Sequence, residues 1–256
     1  MFGFKKRRRE KLRAEAVPPS WREIVARNVE FWPWLGEADQ RELLAHVQVF
    51  LAEKRFEAAG AIEISEEMRV TIAANACLLL LHRETDYFPM MSTVVVRDQP
   101  FVAPQQIELD GGGVLESEDE LSGEAWYRGP VVLSWADIVE DMQSRDGCNV
   151  ILHEFAHAID AESGAVDGTP PLASRDAIRE WKRVFAAAYA RHCEAIDAGR
   201  ETVIDDYGAE CPEEFFATAT EAFFLSGNSL RADDPALYAQ FAAFFRQDSA
   251  SINDDK

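Results

Sequence analysis

The stretch that decides the fold is residues 149–160, NVILHEFAHAID. It begins with Asn149, a residue type that caps helices, and the eleven residues after it contain no helix breaker. The sequence therefore predicts a helix that carries His153, Glu154 and His157 in an HExxH pattern. Because residues four apart share one face of a helix, both imidazoles can point at a single metal ion.

The glutamate inside this pattern indicates hydrolysis. Glu154 follows the first histidine directly, so its carboxylate lies beside the predicted ion, where it can take a proton from a water molecule that zinc has acidified. Chance is a poor alternative, because the chain has 5 histidines in all and imidazoles without partners are costly to bury on an apolar helix. We expect structural roles for the isolated His46, His82 and His192.

A catalytic zinc site has three protein ligands as a rule, so a third residue is needed. The HExxHxxGxxH class is excluded, because Asp160 and Ser163 occupy the positions of its glycine and third histidine. A second helix, predicted to begin at Pro212, has an apolar face bordered by acidic residues. Glu214 on this border is our choice for the third ligand. Three other acids of the same segment stay open as alternatives: Glu210, Glu213 and Glu221.

The rest of the chain predicts a mainly helical α+β fold with a small sheet. Residues 21–80 carry apolar side chains at helical steps, and a further helix is predicted over residues 66–82. Two β-branched runs, residues 93–96 and 130–135, predict strands. The glycines at 111–113 predict a turn, because no Lys-Ser/Thr pair follows them as in a phosphate loop. No shift in composition after residue 20 marks a second domain.

Composition and charge exclude several classes of protein. The chain has 256 residues, of which 47% are hydrophobic and 28% charged, as in ordinary globular proteins. Its 4 cysteines have no CxxC spacing, which argues against a disulfide framework and favours a reducing compartment. A formal net charge of -20 disfavours direct contact with nucleic acid. The longest apolar run, residues 76–81, is too short to span a membrane. We therefore predict a cytoplasmic protein.

The charge is distributed unevenly along the chain. Residues 1–20 hold 7 lysines and arginines against 2 acids, whereas the remaining 236 residues hold 19 basic and 44 acidic side chains. The basic start lacks the apolar segment of a signal peptide. We predict a flexible basic arm over residues 1–20, and docking of this arm to an anionic surface or an acidic partner is the alternative.

Four segments together resemble a known family. They are residues 129–135 (GPVVLSW), 149–160 with its HEFAHxxD core, 164–170 (GAVDGTP) and 214–217 (EFFA). Over most of its length the chain resembles Mlc titration factor A, a family of bacterial cytoplasmic zinc metallopeptidases. The HEFAHxxD and YGxxxxxEFFA segments are also similar to the catalytic domain of anthrax lethal factor. This resemblance implies a single zincin-like metallopeptidase domain over residues 21–256.

The resemblance also implies roles for single residues. Glu154 is the implied general base, and Tyr207 is implied to donate a hydrogen bond to the developing oxyanion, a role that suits a phenol beside zinc. Asp160 follows His157 by one helical turn and is expected to hydrogen-bond a ligand or to cap a neighbouring loop. The implied ligands of one Zn²⁺ per chain are His153, His157 and Glu214.

Two classes of function follow from the family resemblance. The first is a zinc-dependent, aminopeptidase-like enzyme that acts on a peptide or protein substrate. The family takes its name from sequestering the repressor Mlc, so regulation of glucose phosphotransferase expression through a Mlc-type repressor is also implied. The alternative is a non-catalytic protein that only sequesters such a repressor. The presence of Glu154 favours the enzyme, because a protein that only sequesters a repressor has no need for a base beside the metal.

Overall fold

The computed structural model describes residues 2–98, 108–109, 113–114, 129–144 and 147–252. Within these residues, helices surround a three-stranded parallel sheet. The prediction of a mainly helical α+β fold with a small sheet is confirmed. Of the turn predicted at residues 111–113, only Gly113 is described, as part of a short strand. The other two glycines lie outside the described residues.

The bounds of the elements follow in chain order. The helices of the described residues are α1 (Phe2–Arg13), α2 (Pro19–Asn28), α3 (Glu37–Glu53), α4 (Glu66–Leu78), α5 (Trp135–Ser144), α6 (Val150–Asp160), α7 (Arg175–Asp197), α8 (Pro212–Leu225), α9 (Gly227–Asp233), α10 (Pro235–Phe245) and α11 (Ser249–Ile252). The strands are β1 (Arg55–Ala59), β2 (Thr93–Arg97), β3 (Glu108–Leu109), β4 (Gly113–Val114) and β5 (Val131–Ser134). Short 3₁₀ helices cover Trp32–Trp34, Ala161–Ser163 and Asp206–Ala209. Each of these helices is too short or too polar to cross a lipid bilayer.

The main sheet has the strand order β1–β2–β5. Adjacent strands of this sheet run parallel, with Arg55 paired to Thr93 and Val94 paired to Val131. Val94 and Val96 of the central strand are fully buried, which accounts for the β-branched run that predicts this strand. Both runs predicted to be strands therefore lie side by side in one sheet.

Strand β1 interrupts the segment with the helical pattern, residues 21–80. The backbone becomes extended at Lys54, immediately after α3. The Lys54 ammonium donates hydrogen bonds to the carbonyls of Phe88 at 2.8 Å and Met91 at 2.5 Å. These bonds hold the chain beside the loop that leads into β2, so the next five residues pair with β2. The helix predicted over 66–82 also ends early, at Leu78, and His82 has a left-handed backbone (φ 62°) that no helix can accommodate.

The basic start of the chain, for which the sequence predicts a flexible arm, is helical over residues 2–13, which form α1. The guanidinium of Arg9 donates to both carboxylate oxygens of Glu53, at 2.9 and 2.7 Å, and to Asp86 at 2.6 Å. It also lies over the ring of Tyr87, 4.6 Å from its centroid. We call residues 21–256 the acidic body. The body thus supplies partners for part of the basic charge, and these contacts hold one side of the helix.

One contiguous set of buried apolar side chains runs from Ile24 to Ala250, and α6 lies within it. Helix α6 packs against α4, α8 and β5. The ring of Phe155 contacts Phe50 and Phe88, with centroids 5.6 and 4.8 Å away. Burying a large apolar side chain contributes about 1.5–3 kcal/mol, so this face fixes the rotation of the helix. The HExxH residues are left facing a cavity.

Candidate metal centre

The start of α6 is fixed by hydrogen bonds to three other helices, α4, α5 and α8. The side chain of Asn149 accepts from the backbone N–H of Leu152 at 3.0 Å, which confirms the predicted N-cap. Its amide group donates to Asn75 of α4 at 3.1 Å. The N–H of Val150 donates to the carboxylate of Asp141 of α5 at 2.7 Å. Two of the orphan backbone donors in the first turn of the HExxH helix, those of Val150 and Leu152, therefore have partners.

Helix α8 presents the third predicted ligand from its first turn. Pro212 is its first residue, as the sequence predicts, because proline suits the first helical position. Glu214 lies in the same turn, where the partial positive charge of a helix start favours a carboxylate. Phe215 and Phe216 are fully buried and hold α8 against the core beside α6.

The donor atoms of the three predicted ligands converge on one point. His153 Nε2 lies 3.0 Å from Glu214 Oε2 and 3.2 Å from His157 Nε2. His157 Nε2 lies 3.3 Å from the same oxygen of Glu214. A tetrahedral zinc ion with bonds of about 2.0–2.1 Å separates its donor atoms by about 3.3 Å. The spacing of this donor set therefore fits zinc, although binding of the ion stays a prediction.

The protonation of these groups also indicates a place for positive charge. Burial lowers the pKa of His153, but hydrogen bonds to Glu214 and Glu221 raise it more, to about 10. Burial raises the pKa of Glu214, but hydrogen bonds from His153 and His157 lower it more, to about 2. Both shifts mean that a positive charge on His153 and the negative charge on Glu214 stabilise each other.

Glu221, one of the alternatives to Glu214 as third ligand, contacts His153 instead. The Nδ1 atom of His153 lies 2.9 Å from Glu221 Oε1, and the other oxygen of Glu221 accepts from the N–H of Asn149 at 2.5 Å. When Nδ1–H donates to this carboxylate, the neutral ring carries its lone pair on Nε2. That lone pair then faces Glu214, an arrangement of two electron-rich atoms that a cation stabilises.

Sequence reasoning missed this role of Glu221. A signal was present, because Glu221 follows Glu214 by seven residues and therefore lies two turns further on the same side of α8. Helical spacing gives the shared side but does not distinguish a residue that binds the ion from one that orients a ligand.

The two residues assigned to catalysis line the same cavity as the three predicted ligands. This cavity has a volume of about 800 Å³. Burial raises the pKa of Glu154, although the two histidines oppose the shift. The ring of Tyr207 lies 6.1 Å from that of His153, centroid to centroid, and the side chain is 46% exposed. The structure therefore brings all five predicted site residues together.

Tyr207 is placed by its neighbours in the 3₁₀ turn over Asp206–Ala209. Its backbone N–H donates to the side chain of Asp205 at 2.9 Å. The next residue is Gly208, where an added Cβ would lie 2.4 Å from the hydroxyl of Thr218 on α8. A glycine therefore allows this turn to pack closely against α8 and to hold Tyr207 above the histidines.

Asp160 caps the loop between α6 and α7, which contacts the start of α8. The side chain is fully buried, and its carboxylate accepts from the N–H of Gly168 at 2.8 Å. The carbonyl of Gly168 accepts from the indole of Trp181 at 2.8 Å. An added Cβ at Gly168 would lie 2.8 Å from the carbonyl oxygen of Pro212. Of the two roles expected for Asp160, the structure shows the capping of a neighbouring loop.

The sequence comparisons agree with this geometry. The family described as glucose-regulated metallo-peptidase M90 matches residues 4–246. An uncharacterized protein of Synechocystis sp. is 35% identical over 241 residues, which are 93% of this chain and 87% of that protein. The Mlc titration factor A of Salmonella agona is 31% identical over 242 residues, or 89% of this chain and 91% of that protein. The protein of the same name from Salmonella typhimurium has the same identity and coverage.

Proposed function

The chain belongs to the glucose-regulated metallo-peptidase M90 family, and we propose that it is a zinc-dependent, aminopeptidase-like enzyme that hydrolyses peptide bonds in the cytoplasm. The observation that carries this proposal is the convergence of three donor atoms within 3.3 Å of one another. They belong to His153, His157 and Glu214. A zinc ion bound there would polarise the substrate carbonyl and lower the pKa of water.

Glu154 is the proposed general base. It lines the same cavity as His153, His157 and Glu214, and its proposed partner there is the water molecule that attacks a peptide carbonyl. A carboxylate whose pKa is raised by burial holds a proton more tightly than one in water. Glu154 can therefore take the proton of the attacking water and deliver it to the departing amine.

Tyr207 is the proposed hydrogen-bond donor to the oxyanion. Burial, together with the charge of Glu214, raises its pKa to about 12, so the phenol keeps its proton at neutral pH. A neutral phenol can donate a hydrogen bond to the negative charge that develops on the carbonyl oxygen.

The walls of the cavity support a peptide substrate. Within the described residues, β5 is an edge strand of the sheet, and its residues Val131, Val132 and Ser134 line the cavity. An edge strand has free backbone groups with which an extended peptide can pair. Acidic side chains also line the cavity, among them Asp137 and Asp205. They favour a protonated amino terminus, in agreement with aminopeptidase-like activity.

Substitution of Glu154 by glutamine tests the proposal. We expect Glu154→Gln to keep one zinc per chain and to lose at least about a hundredfold in peptidase turnover, because the base is removed and the ligands are kept. Turnover on a panel of aminoacyl and internal peptide substrates, with zinc measured by elemental analysis, gives both numbers. The exposed Glu201→Gln serves as control and should leave both unchanged. Equal cleavage by Glu154→Gln and the parent would remove Glu154 from the mechanism.

The name of the relatives favours a second role, in which the chain binds a Mlc-type repressor and so regulates glucose phosphotransferase expression. A protein that only sequesters the repressor is the alternative to the enzyme. Capture of a purified Mlc-type repressor by the parent and by Glu154→Gln tests the role separately from catalysis. Binding by both, with metal-dependent turnover in the parent alone, supports two roles. Absence of turnover in the zinc-loaded parent, with binding intact, supports the sequestering protein.

A further inference from the structure

Helix α1 carries more positive charge than its contacts within the protein use. Residues 1–20 hold 7 of the 26 lysines and arginines, while the other 236 residues carry 44 acids. Arg9 and Lys5 form ion pairs with Glu53 and Asp86 on the body. These contacts bind one side of α1, so the helix is already formed and its other side is presented to solvent.

The side of α1 that is turned away from the body has an unusual composition. Phe4, Arg7 and Lys11 follow one another at steps of three and four residues and therefore share one side of the helix. All three are exposed, whereas Arg9 and Leu12 are partly buried against the body. Phe4 is 80% exposed, the largest value among the described large hydrophobic side chains. We call Phe4, Arg7 and Lys11 the outer face of α1.

An exposed aromatic ring between cationic side chains fits the surface of an anionic bilayer. The ring can enter the boundary between headgroups and acyl chains while the cations lie at the lipid phosphates. A nucleic acid would satisfy the cations but offers no apolar layer for the ring. We propose that the outer face of α1 docks this protein on membranes that contain anionic phospholipids.

The charge of the body sets the orientation of the docked protein. Its net excess of acids is repelled by the same headgroups that attract α1, so α1 faces the membrane and the body points away. One aromatic residue and a few cations give weak, reversible binding that falls as salt screens the charges. This inference concerns a surface separate from the metal centre and does not depend on the proposed peptidase activity.

Sedimentation of the full chain with lipid vesicles tests the proposal. We expect binding to vesicles of phosphatidylcholine mixed with phosphatidylglycerol, loss of that binding at high salt, and none to phosphatidylcholine alone. The double variant Arg7→Glu/Lys11→Glu should lower the partition coefficient at least about tenfold, because each basic residue near an anionic surface contributes several-fold. Phe4→Ala should lower it several-fold and leave the salt dependence unchanged.

A matched variant separates the surface from the overall charge. Arg179→Glu/Arg183→Glu makes the same change in net charge at two exposed residues of α7, and its binding should equal that of the parent. Circular dichroism checks that every variant is folded. Equal loss in both double variants, or equal sedimentation with neutral and anionic vesicles, would overturn the proposal. Fluorescence anisotropy with duplex DNA adds a third outcome: DNA binding that depends on Arg7 and Lys11, without vesicle binding, would assign the outer face to nucleic acid instead.

Discussion

Glu162, in the 3₁₀ turn after α6, has a partly buried carboxyl group. Burial raises its pKa to about 7, and the nearby charge of Arg83 opposes the shift only in part. Because this pKa lies above the ordinary value of 4.5, the folded state favours the protonated acid. Its contribution to stability is complete below about pH 4.5 and is lost as the pH rises through about 7.

The Glu162→Gln variant should remove this pH dependence, because an amide cannot ionise. We expect its melting temperature to be close to that of the parent at about pH 5 and higher than that of the parent at about pH 8. Thermal unfolding followed by circular dichroism measures both. Glu201→Gln, at an exposed position, should show no such difference. If the melting temperatures of the parent and of Glu162→Gln changed in parallel with pH over this range, Glu162 would be ionised in the folded protein at neutral pH.

At the scale of residues, local spacing was enough to predict those members of the metal site that lie on one helix. His153 and His157 could be assigned because four-residue spacing is a property of a single helix. The sequence also favours Glu214, but the different contacts that Glu214 and Glu221 make with His153 depend on the position of α8 relative to α6, which contacts distant in sequence determine. The hydrogen bond between His153 and Glu221 spans 68 positions in the chain, so no local pattern contains it.

At the scale of elements, the loop between α6 and α7 contacts the start of α8, the helix that carries Glu214. Asp160, at the end of α6, holds the N–H of Gly168. Gly168 also approaches the carbonyl of Pro212 so closely that there is no room for a side chain. Pro212 lies two residues before Glu214. A change at Gly168 should therefore alter the position of Glu214.

We predict that Gly168→Ala lowers the free energy of unfolding by about 1–3 kcal/mol and weakens zinc binding, because the new methyl group meets Phe185 and the start of α8. Chemical denaturation and competition with a zinc chelator measure the two effects. Gly164→Ala is the matched control in the same loop, since Gly164 also has a positive φ (84°) but no atom within 4 Å of an added Cβ. Equal zinc affinities for the two variants would show that the loop does not position Glu214.

Which elements the sequence could predict depended on whether their causes were local. Helix α6 was predictable from its cap and its apolar face, and the β-branched runs of β2 and β5 indicated strands. Strand β1 was missed, because Lys54 fixes it through carbonyls more than thirty residues away. Helix α1 was not predicted either, since its contacts join Arg9 to Glu53 and Asp86 far along the chain.

At the scale of the whole molecule, a bound ion would join α6 to α8 and so stabilise the core that both helices share. A ligand that binds only the folded state adds about 4 kcal/mol at a thousand times its dissociation constant. We expect a strong chelator to abolish peptidase activity and to lower the melting temperature by about 10 °C, with both restored by zinc. In the Glu214→Ala variant, the chelator should change the melting temperature little. An equal decrease in that variant would place the stabilising ion elsewhere.

X-ray diffraction from crystals of the zinc-loaded protein, measured on both sides of the zinc absorption edge, tests the metal centre most directly. The account predicts one anomalous peak per chain, within bonding distance of His153 Nε2, His157 Nε2 and a carboxylate oxygen of Glu214. A strong peak at another position, or stoichiometric zinc without a peak between these three side chains, would contradict it.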